Sequence, residues 1–213
     1  MTNRTALEEK RKPAEMGALL ERFDEKFQRN KEWAKRKGIR KDIEEEYRQL
    51  YYFVRCRPKI KLVWLESIGN GGSDAGFETE DGRIYSVQIT LADAGRQAYY
   101  NRKISLQNRP YFPIQTKRIN SRTDEIETWG RALESPTGRV KSRTQALSDA
   151  LERKRKDFSR TDVLLVVFET PVLPKKLLPA VKRESQKAWC VTSHSLQFRE
   201  IYILHGRNCQ RLK

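Results

Sequence analysis

The chain has 213 residues and carries 44 lysines and arginines against 28 acidic residues, which gives a formal net charge of +16. This excess favours a polyanionic partner, nucleic acid first and an anionic membrane surface second, although a solvated basic surface would produce the same balance. No apolar run approaches the ~18 to 20 residues of a membrane-spanning helix and the N-terminus lacks the apolar stretch of a signal peptide, so we predict a cytoplasmic protein of one domain without a membrane partner.

Residues 1–40 predict a helical extension. Residues 1–13 are polar and are expected to be frayed. From residue 14 to about residue 36, apolar side chains recur every three or four positions, which is the period of an amphipathic helix. Gly38 should lie just past the end of this helix, because glycine is favoured at that position.

A second amphipathic helix is predicted over residues 41–55, and Pro58 should stop it. Its apolar stripe consists of Ile43, Tyr47, Leu50, Tyr51 and Val54. Its first turns contain the acids Asp42, Glu44, Glu45 and Glu46, which interact favourably with the helix dipole there. We interpret most of these acids as having that structural role.

Residues 60–66 predict a strand, and a glycine-rich loop then leads into a hairpin that ends at Thr90. Asp81-Gly82 marks its turn, because glycine tolerates the positive φ that such turns require. In the second strand, Tyr85, Val87 and Ile89 alternate with Ile84, Ser86, Gln88 and Thr90.

The hairpin should bring Asp74, at the start of its first strand, towards Gln88 and Thr90, near the end of its second. A carboxylate oxygen and an amide oxygen that lie close together can share a hard divalent cation such as Mg²⁺. The structural alternative is that Asp74 caps a turn after the glycines, while Gln88 and Thr90 are solvent-facing strand residues.

The second half of the chain begins with residues that are hard to interpret. Residues 107–143 have few apolar anchors, although Ile119, Ile126 and Trp129 could mark short elements, and a segment of this kind is either functional or mobile.

A helix is predicted over residues 142–158, with a basic cluster in its last turns that suits the helix dipole. Residues 162–168 form the most apolar run, which predicts a central strand covered on both faces. A helix over residues 175–187, strands over residues 188–192 and 200–204 and a basic tail complete the chain.

The order of elements over residues 41–168 is helix, strand, hairpin, helix and buried strand, and it resembles the αβββαβ core of the PD-(D/E)xK nuclease superfamily. The motif residues resemble the Mrr-like branch of this superfamily, in which Gln-x-Lys follows the aspartate: here Asp74 precedes Gln88-Ile89-Thr90. The resemblance implies an α/β fold with a restriction-endonuclease-like core and a mixed central sheet flanked by helices. Residues 1–40 and 169–213 would be additions to that core.

The same resemblance implies a Mg²⁺ or Mn²⁺ site formed by Asp74, Gln88 and the carbonyl group of Ile89, to which Glu45 or Glu46 would add a carboxylate. Such a cation polarises the phosphate and lowers the pKa of a bound water. Thr90 occupies the position of the motif lysine, so it could only position water through its hydroxyl group. A cation from a neighbouring segment could take the place of that lysine.

The predicted nucleic-acid contacts are basic residues that follow the hairpin: Arg96, Arg102, Lys103, Arg118, Arg122, Arg139, Lys141 and Arg143. Arg96, Arg102 and Lys103 are also the predicted sources of a positive charge that could replace the motif lysine. Three functions stay open: a metal-dependent DNA nuclease, an inactive protein of the same fold that binds nucleic acid or a nucleoprotein assembly, and a basic structural protein. DNA is preferred to RNA as the nucleic acid.

The cysteines Cys56, Cys190 and Cys209 are scattered, without a Cys-x-x-Cys motif, which favours free thiols in a reducing compartment. Cys190 and Cys209, with His194 and His205, could supply four zinc ligands. Packing in strands or loops is the interpretation that we favour for these residues.

Overall fold

A mixed six-stranded sheet organises the fold in the computed structural model. The structure describes residues 4–28, 39, 42–67, 72–92, 115–119, 126–131, 136–155, 161–168, 179–180, 183–184, 186–187, 198–205 and 207–212. The helices are α1 (Thr5–Glu8), α2 (Pro13–Gln28), a π-helix (Asp42–Tyr47) that continues directly into α3 (Arg48–Cys56), and α4 (Pro136–Arg155). None of the helices in these ranges is long and apolar enough to cross a membrane.

The strands are β1 (Ile60–Leu65), β2 (Ala75–Thr79), β3 (Ile84–Leu91), β4 (Gln115–Ile119), β5 (Ile126–Arg131), β6 (Val163–Phe168), β7 (Glu200–His205) and β8 (Asn208–Arg211). Six of them form one sheet in the order β1-β2-β3-β6-β7-β8, while β4 and β5 pair separately. Strands β1, β2 and β3 are antiparallel, β6 and β7 run parallel to β3, and β8 is antiparallel to β7. The predicted mixed α/β class is therefore confirmed.

The most apolar strand, β6, lies inside the sheet between β3 and β7, and all six of its residues are buried. One face of β6 packs in the cluster that contains Phe23, Leu50 and Phe53 of α2 and α3. The opposite face packs with Leu147 and Leu151 of α4. Both faces exclude water, which explains why β6 lacks the polar alternation of a half-exposed strand and confirms the prediction for this run.

The hairpin of β2 and β3 forms as its turn sequence predicts. Gly82 has a φ of +78°, and the amide of Thr79 donates to the carbonyl of Arg83 across the turn at 2.9 Å. Val87 and Ile89 belong to the core on the side of α2 and α3, so the predicted alternation along β3 is observed.

The ends of several elements differ from the predictions. Within the segment that was predicted to be frayed, residues 4–13 contact the fold: Leu7 is fully buried, and Arg11 exchanges two backbone hydrogen bonds with Val63. The second helix begins with wide π-helical turns. Helix α4 begins at Pro136, six residues before the predicted start, and both β4 and β5 lie in the stretch that the sequence left unassigned. The predicted basic tail contains β8, because its backbone completes the edge of β7.

Other predictions fall wholly or largely outside the described residues. The predicted end of the first helix and the strand over residues 188–192 are among them. Of the helix predicted over residues 175–187, the described pairs 179–180, 183–184 and 186–187 are helical.

The packing of Gly76 in β2 predicts a large effect of a single methyl group. A Cβ atom at Gly76 would lie 2.5 Å from Cζ2 of Trp64, whose indole NH donates to Glu66 at 2.7 Å. We expect Gly76→Ala to lower the free energy of unfolding by about 1–3 kcal/mol in a urea titration, because the ring has to move.

Gly17→Ala is the matched control. Its Cβ would meet the hydroxyl end of Tyr51, at 2.9 Å. That end can move, and alanine favours a helix by about 1 kcal/mol over glycine. Equal destabilisation by both substitutions would contradict the packing described for Trp64.

Candidate functional site

Asp74 lies immediately before β2, between two neighbouring strands. Its amide donates to the carbonyl of Val87 on β3 at 2.9 Å, and its carbonyl accepts from the amide of Glu66, just after β1, at 3.0 Å. These bonds continue the sheet on both sides of the residue and fix the backbone from which the carboxylate projects. Asp74 is thus part of the sheet framework and is not only a turn cap.

The side chain of Asp74 contacts β3. Its Oδ2 atom accepts a hydrogen bond from Nε2 of Gln88 at 2.6 Å and another from the amide of Ile89 at 2.6 Å. The hairpin therefore brings the first and second motif residues into direct contact. Because both bonds end on Oδ2, the carboxylate is held in one orientation against the strand.

Gln88 and Thr90 are buried, so the alternative in which they face solvent is wrong. They are only 4% and 8% exposed, and in the sheet they lie beside Leu164 and Val166, which pack against α4. Oε1 of Gln88 accepts no hydrogen bond from any described residue, although it is buried. A buried acceptor without a partner costs about 1–3 kcal/mol, and it is a ready ligand for a cation or water.

Burial disfavours the ionised form of Asp74, and two cations favour it. Burial raises the pKa of this carboxyl, while the amide of Ile89, the ammonium of Lys154, the guanidinium of Arg4 and the amide of Gln88 act in the opposite direction. Lys154 belongs to the last turn of α4. A positive charge from a different element therefore acts on Asp74.

Lys154 is the residue that sequence reasoning missed. It belongs to the basic cluster at the end of a helix, which was assigned only to the helix dipole. A helix that connects two parallel strands packs back across the sheet, so its residues can reach the strands that precede it. The predicted sources of this cation, Arg96, Arg102 and Lys103, lie outside the described residues.

Arg4 links the acids of the π-helix to the neighbourhood of Asp74. Its guanidinium lies 2.8 Å from Oδ2 of Asp42, 3.3 Å from Oε1 of Glu8 and 3.6 Å from Oε2 of Glu46. The same group donates to the carbonyl of Glu66 at 3.2 Å. Of the two predicted acids, Glu46 is the one that contacts this guanidinium, while Glu45 is half-buried in the same π-helix.

Asp74 and Gln88 carry oxygen atoms of the kind that a hard divalent cation takes. Oxygen ligands are what Mg²⁺ and Mn²⁺ prefer, and the buried Oε1 of Gln88 lies on the residue that already contacts the carboxylate. In the described part of the chain, no three His, Cys, Asp or Glu side chains are arranged to hold a metal ion. A site here therefore depends on Gln88, and the contribution of Ile89 through its carbonyl group stays a prediction.

The predicted nucleic-acid contacts are spread over several elements. Lys141 is exposed on α4, and the guanidinium of Arg143 lies over the ring of Phe168, 5.2 Å from its centroid. The backbones of Arg118 and Arg139 belong to β4 and α4. Arg122 lies outside the described residues, and so do Arg96, Arg102 and Lys103. Arg143 is helical as predicted, and Lys141 is also helical because α4 begins before the predicted start.

The predicted zinc ligands do not assemble in the described residues. His205 is buried and stacks on Phe168, with ring centroids 4.6 Å apart, which agrees with the packing interpretation. Cys209 is half-buried beside Cys56, and burial raises the pKa of its thiol. Cys190 and His194 lie outside the described residues.

The raised pKa of Asp74 predicts an unusual effect of its neutralisation. A folded-state pKa above the unfolded value means that the ionised group weakens the fold at neutral pH, and this penalty disappears as the pH falls below the ordinary aspartate pKa of about 3.9. We expect Asp74→Asn to raise the free energy of unfolding at pH 7 in buffer with a chelator, since asparagine Oδ1 can still accept both hydrogen bonds. The gain should shrink towards pH 4.

Asp81→Asn is the control, because it should change the free energy of unfolding in the opposite direction. The hydroxyl of Thr79 lowers the pKa of the exposed Asp81, so its ionised form supports the fold above the unfolded pKa. This substitution should lower stability slightly at pH 7. Urea titrations at both pH values compare the variants, and a loss of stability in Asp74→Asn at pH 7 would contradict the electrostatic account.

Comparison with known proteins provides no identity for the chain. It matches no protein-family model, no curated protein and no solved structure. The function is therefore inferred from the geometry of Asp74, Gln88 and their neighbours.

Proposed function

We propose that the protein is a divalent-metal-dependent nuclease that cleaves phosphodiester bonds of DNA. The observation that carries the proposal is the contact between half-buried Asp74 and buried Gln88, at 2.6 Å, with the charge of Lys154 acting on the same carboxylate. An acid, an amide oxygen and an ammonium group are the three functions that the superfamily motif combines. Here the ammonium group comes from α4 instead of the strand.

The arrangement of elements supports a restriction-endonuclease-like core as part of this proposal. The π-helix and α3 precede a three-stranded antiparallel unit, and α4 then leads to β6, which is parallel to β3. This is the αβββαβ order, with the β4–β5 hairpin inserted before α4. In that core the site would lie where Asp74 and Gln88 project from adjacent strands.

In the proposed reaction, Asp74 and Gln88 would hold the cation, with Ile89 and Glu46 as further candidates. Bound Mg²⁺ or Mn²⁺ would polarise the phosphate and lower the pKa of a water. Lys154 would hold the attacking water in line and stabilise negative charge that develops on the phosphate oxygens. Thr90 is uncharged and buried, so we assign it no role beyond orienting water.

The net charge of +16 supports a polyanionic substrate, because nucleic acid would be drawn to the protein before any specific contact forms. DNA is preferred to RNA on the resemblance alone. The second possibility, an inactive protein of this fold that binds nucleic acid or a nucleoprotein assembly, would retain this attraction without cleavage.

Removal of the charge at Lys154 is the sharpest test of activity. We expect Lys154→Gln to reduce Mg²⁺-dependent or Mn²⁺-dependent nicking of supercoiled plasmid by about 10² to 10³, since it removes a charge aimed at the transition state. Lys141→Gln on the same helix is the matched control. Residue 141 lies about 20 Å away along the helix axis, so its loss should weaken cleavage only through DNA affinity. Equal losses in both variants would remove Lys154 from the site.

Substitutions of the motif residues locate the site independently. Asp74→Ala should abolish nicking and Gln88→Ala should weaken it severely, with circular dichroism to show that both variants fold. Thr90→Lys should leave activity level or raise it, and it should restore part of the activity in the Lys154→Gln background. Nicking by folded Asp74→Ala at the wild-type rate would place the site elsewhere. Failure of the wild type to cleave DNA or RNA would favour the inactive nucleic-acid-binding protein.

Binding to DNA should depend steeply on salt. Each neutralised phosphate contributes about −0.9 to the slope of log Kobs against log salt, because counterions are released. An anisotropy titration at several salt concentrations measures this slope. If exposed Lys141 contacts a phosphate, Lys141→Gln should reduce the slope by about 1. No binding at low salt would reject both the nuclease and the inactive nucleic-acid-binding protein.

A further inference from the structure

We propose that Cys56 and Cys209 form a reversible disulfide, which fastens the edge strand β8 to the end of α3 when the protein meets a low-molecular-weight disulfide such as glutathione disulfide. Cys209 packs against the core cluster on the side of α2 and α3. Gln88 and Thr90 lie on the opposite face of the sheet, beside residues that pack against α4. The inference therefore does not rest on the proposed function.

The two thiol groups contact each other in the folded protein, and a hydrogen bond joins them. Cys56 is the last residue of α3 and is exposed, whereas Cys209 belongs to β8 and is half-buried. A disulfide needs sulfur atoms about 2.05 Å apart and Cα atoms about 4.4–6.8 Å apart. Because the thiols already meet, a rotation of the side chains and a small shift of the backbone are enough to join them.

The packing of α3 across β7 explains why two residues so far apart in the chain meet. The ring of Phe53 meets the ring of Tyr202 edge-on, with 4.9 Å between the centroids. Cys56 follows Phe53 by about one turn, so it lies on the same side of the helix. In the sheet, Cys209 is the partner of Leu204, which belongs to the same core cluster as Tyr202. The helix thus crosses β7 and packs against the strand that carries Cys209.

The end of α3 is anchored, so the contact between the thiols is a built feature of the fold. The guanidinium of Arg57, the next residue, lies 2.5 Å from Oε2 of Glu200, and each of these side chains is only 15% exposed. The same guanidinium covers the rings of Phe77 and Tyr85, at 4.7 and 4.9 Å from their centroids. The amide of Arg57 donates to the carbonyl of Phe53 at 3.1 Å. Oxidation of the pair would therefore not require α3 to unfold.

The two thiols are not half of the predicted zinc site. His205 stacks on Phe168, which belongs to the cluster on the side of α4. Side chains alternate between the faces of a strand, so His205 and its neighbour Leu204 face opposite sides of the sheet, and Cys209 lies on the side of Leu204. In the described part of the chain, no third His, Cys, Asp or Glu joins the two cysteines to hold a metal ion. A pair of thiols without a further ligand favours redox chemistry over metal binding.

The difference in exposure sets the order of the two exchange steps. Cys56 is the thiol that a reagent from solution reaches first, and its thiolate attacks one sulfur of glutathione disulfide. The S–S bond of the reagent breaks, and one glutathione leaves and takes up a proton. The thiol of Cys209 then releases its proton to solvent and attacks the sulfur of Cys56, and the second glutathione leaves. The protein loses two electrons and two protons, the reagent gains them, and excess reduced glutathione reverses both steps.

Burial raises the pKa of the Cys209 thiol, and the neighbouring thiol of Cys56 acts in the same direction. A thiol with a raised pKa is seldom ionised at neutral pH, and the thiolate is the nucleophile in thiol–disulfide exchange. Cys209 is therefore suited to the second step, in which the sulfur that it attacks is already held beside it.

Positive charge around the pair suits an anionic reagent. Arg55 precedes Cys56 in α3, and Arg207 and Arg211 flank Cys209, and all three arginines are exposed. Glutathione disulfide is negatively charged at neutral pH, so these charges would draw it towards the exposed thiol.

The test uses the full chain with Cys190→Ser, which leaves only the two thiols of the pair. The reduced protein is incubated with glutathione disulfide in native buffer and analysed by intact-mass spectrometry and by peptide mapping without reduction. We expect the mass to fall by two hydrogen atoms and the map to contain peptides joined through Cys56 and Cys209. Excess reduced glutathione should restore the starting mass. The wild type, mapped in parallel, should contain the same cross-link.

Single substitutions in this background test the order of the steps. Cys209→Ala removes the second nucleophile, so it should retain one glutathione on Cys56. Cys56→Ser removes the exposed thiol, so it should retain none. Circular dichroism shows whether both variants fold, and Cys209→Ser replaces Cys209→Ala if the latter does not.

The cross-link should also raise the thermal stability, because it closes a loop that contains most of the chain. We expect the Tm of the oxidised protein to exceed that of the reduced protein by about 5–10 °C. The Tm of Cys56→Ser should not respond to glutathione disulfide.

Three results would overturn the inference: two free thiols after treatment with excess reagent, a mixed disulfide on Cys56 that persists although Cys209 is present, or a cross-link that forms only in urea. A cross-linked protein that melts no higher than the reduced protein would contradict the fastening of β8 to α3. None of these measurements involves DNA or a metal ion, so they do not depend on the outcome for the proposed nuclease.

Discussion

The burial of one carboxylate against a sheet strand is the constraint on which the rest of the site depends. Asp74 loses most of its hydration, and two hydrogen bonds of 2.6 Å from Gln88 and Ile89 replace part of it. These bonds do not compensate fully, because the pKa of Asp74 is still raised. A divalent cation would supply the missing stabilisation, so the same imbalance that weakens the fold at neutral pH would favour metal binding.

Two cations from distant parts of the sequence favour the ionised form of this carboxylate. The charge of Lys154 acts on it from the last turn of α4, and we propose that Lys154 takes the part of the motif lysine. The charge of Arg4 acts on it from the N-terminal segment, where three acids and a main-chain carbonyl contact the guanidinium. Asp42 and Glu46 of the π-helix pair with Arg4, so the helix dipole is not their only favourable interaction.

The sequence was informative wherever local physics decides the structure. Asp81-Gly82 predicted the turn, period-two alternation predicted the faces of β3, and the apolar run of β6 predicted a strand covered on both sides. The contact of Asp74 with Gln88 followed from the hairpin alone. Each of these features depends on residues that are close in sequence or on a pattern within one element.

The remaining features depend on contacts between residues far apart in the chain, which composition and spacing do not encode. The sequence left open whether Gln88 and Thr90 face solvent, because the helix that packs on that face of the sheet comes about 50 residues later. Lys154 looked like a helix-dipole residue for the same reason. Residues 1–13 looked frayed because the burial of Leu7 and the pairing of Arg11 with Val63 require a folded sheet. The π-helix was missed because its sequence pattern also fits an ordinary α-helix.

The central claim is that Asp74 and Gln88 together hold a divalent cation, and anomalous diffraction from crystals soaked in Mn²⁺ tests it most directly. The account predicts an anomalous peak about 2.0–2.2 Å from an oxygen of Asp74 and from Oε1 of Gln88, the range expected for small, hard divalent ions. A fully occupied Mn²⁺ bound elsewhere, with Gln88 still donating to Asp74 and no peak between them, would contradict it.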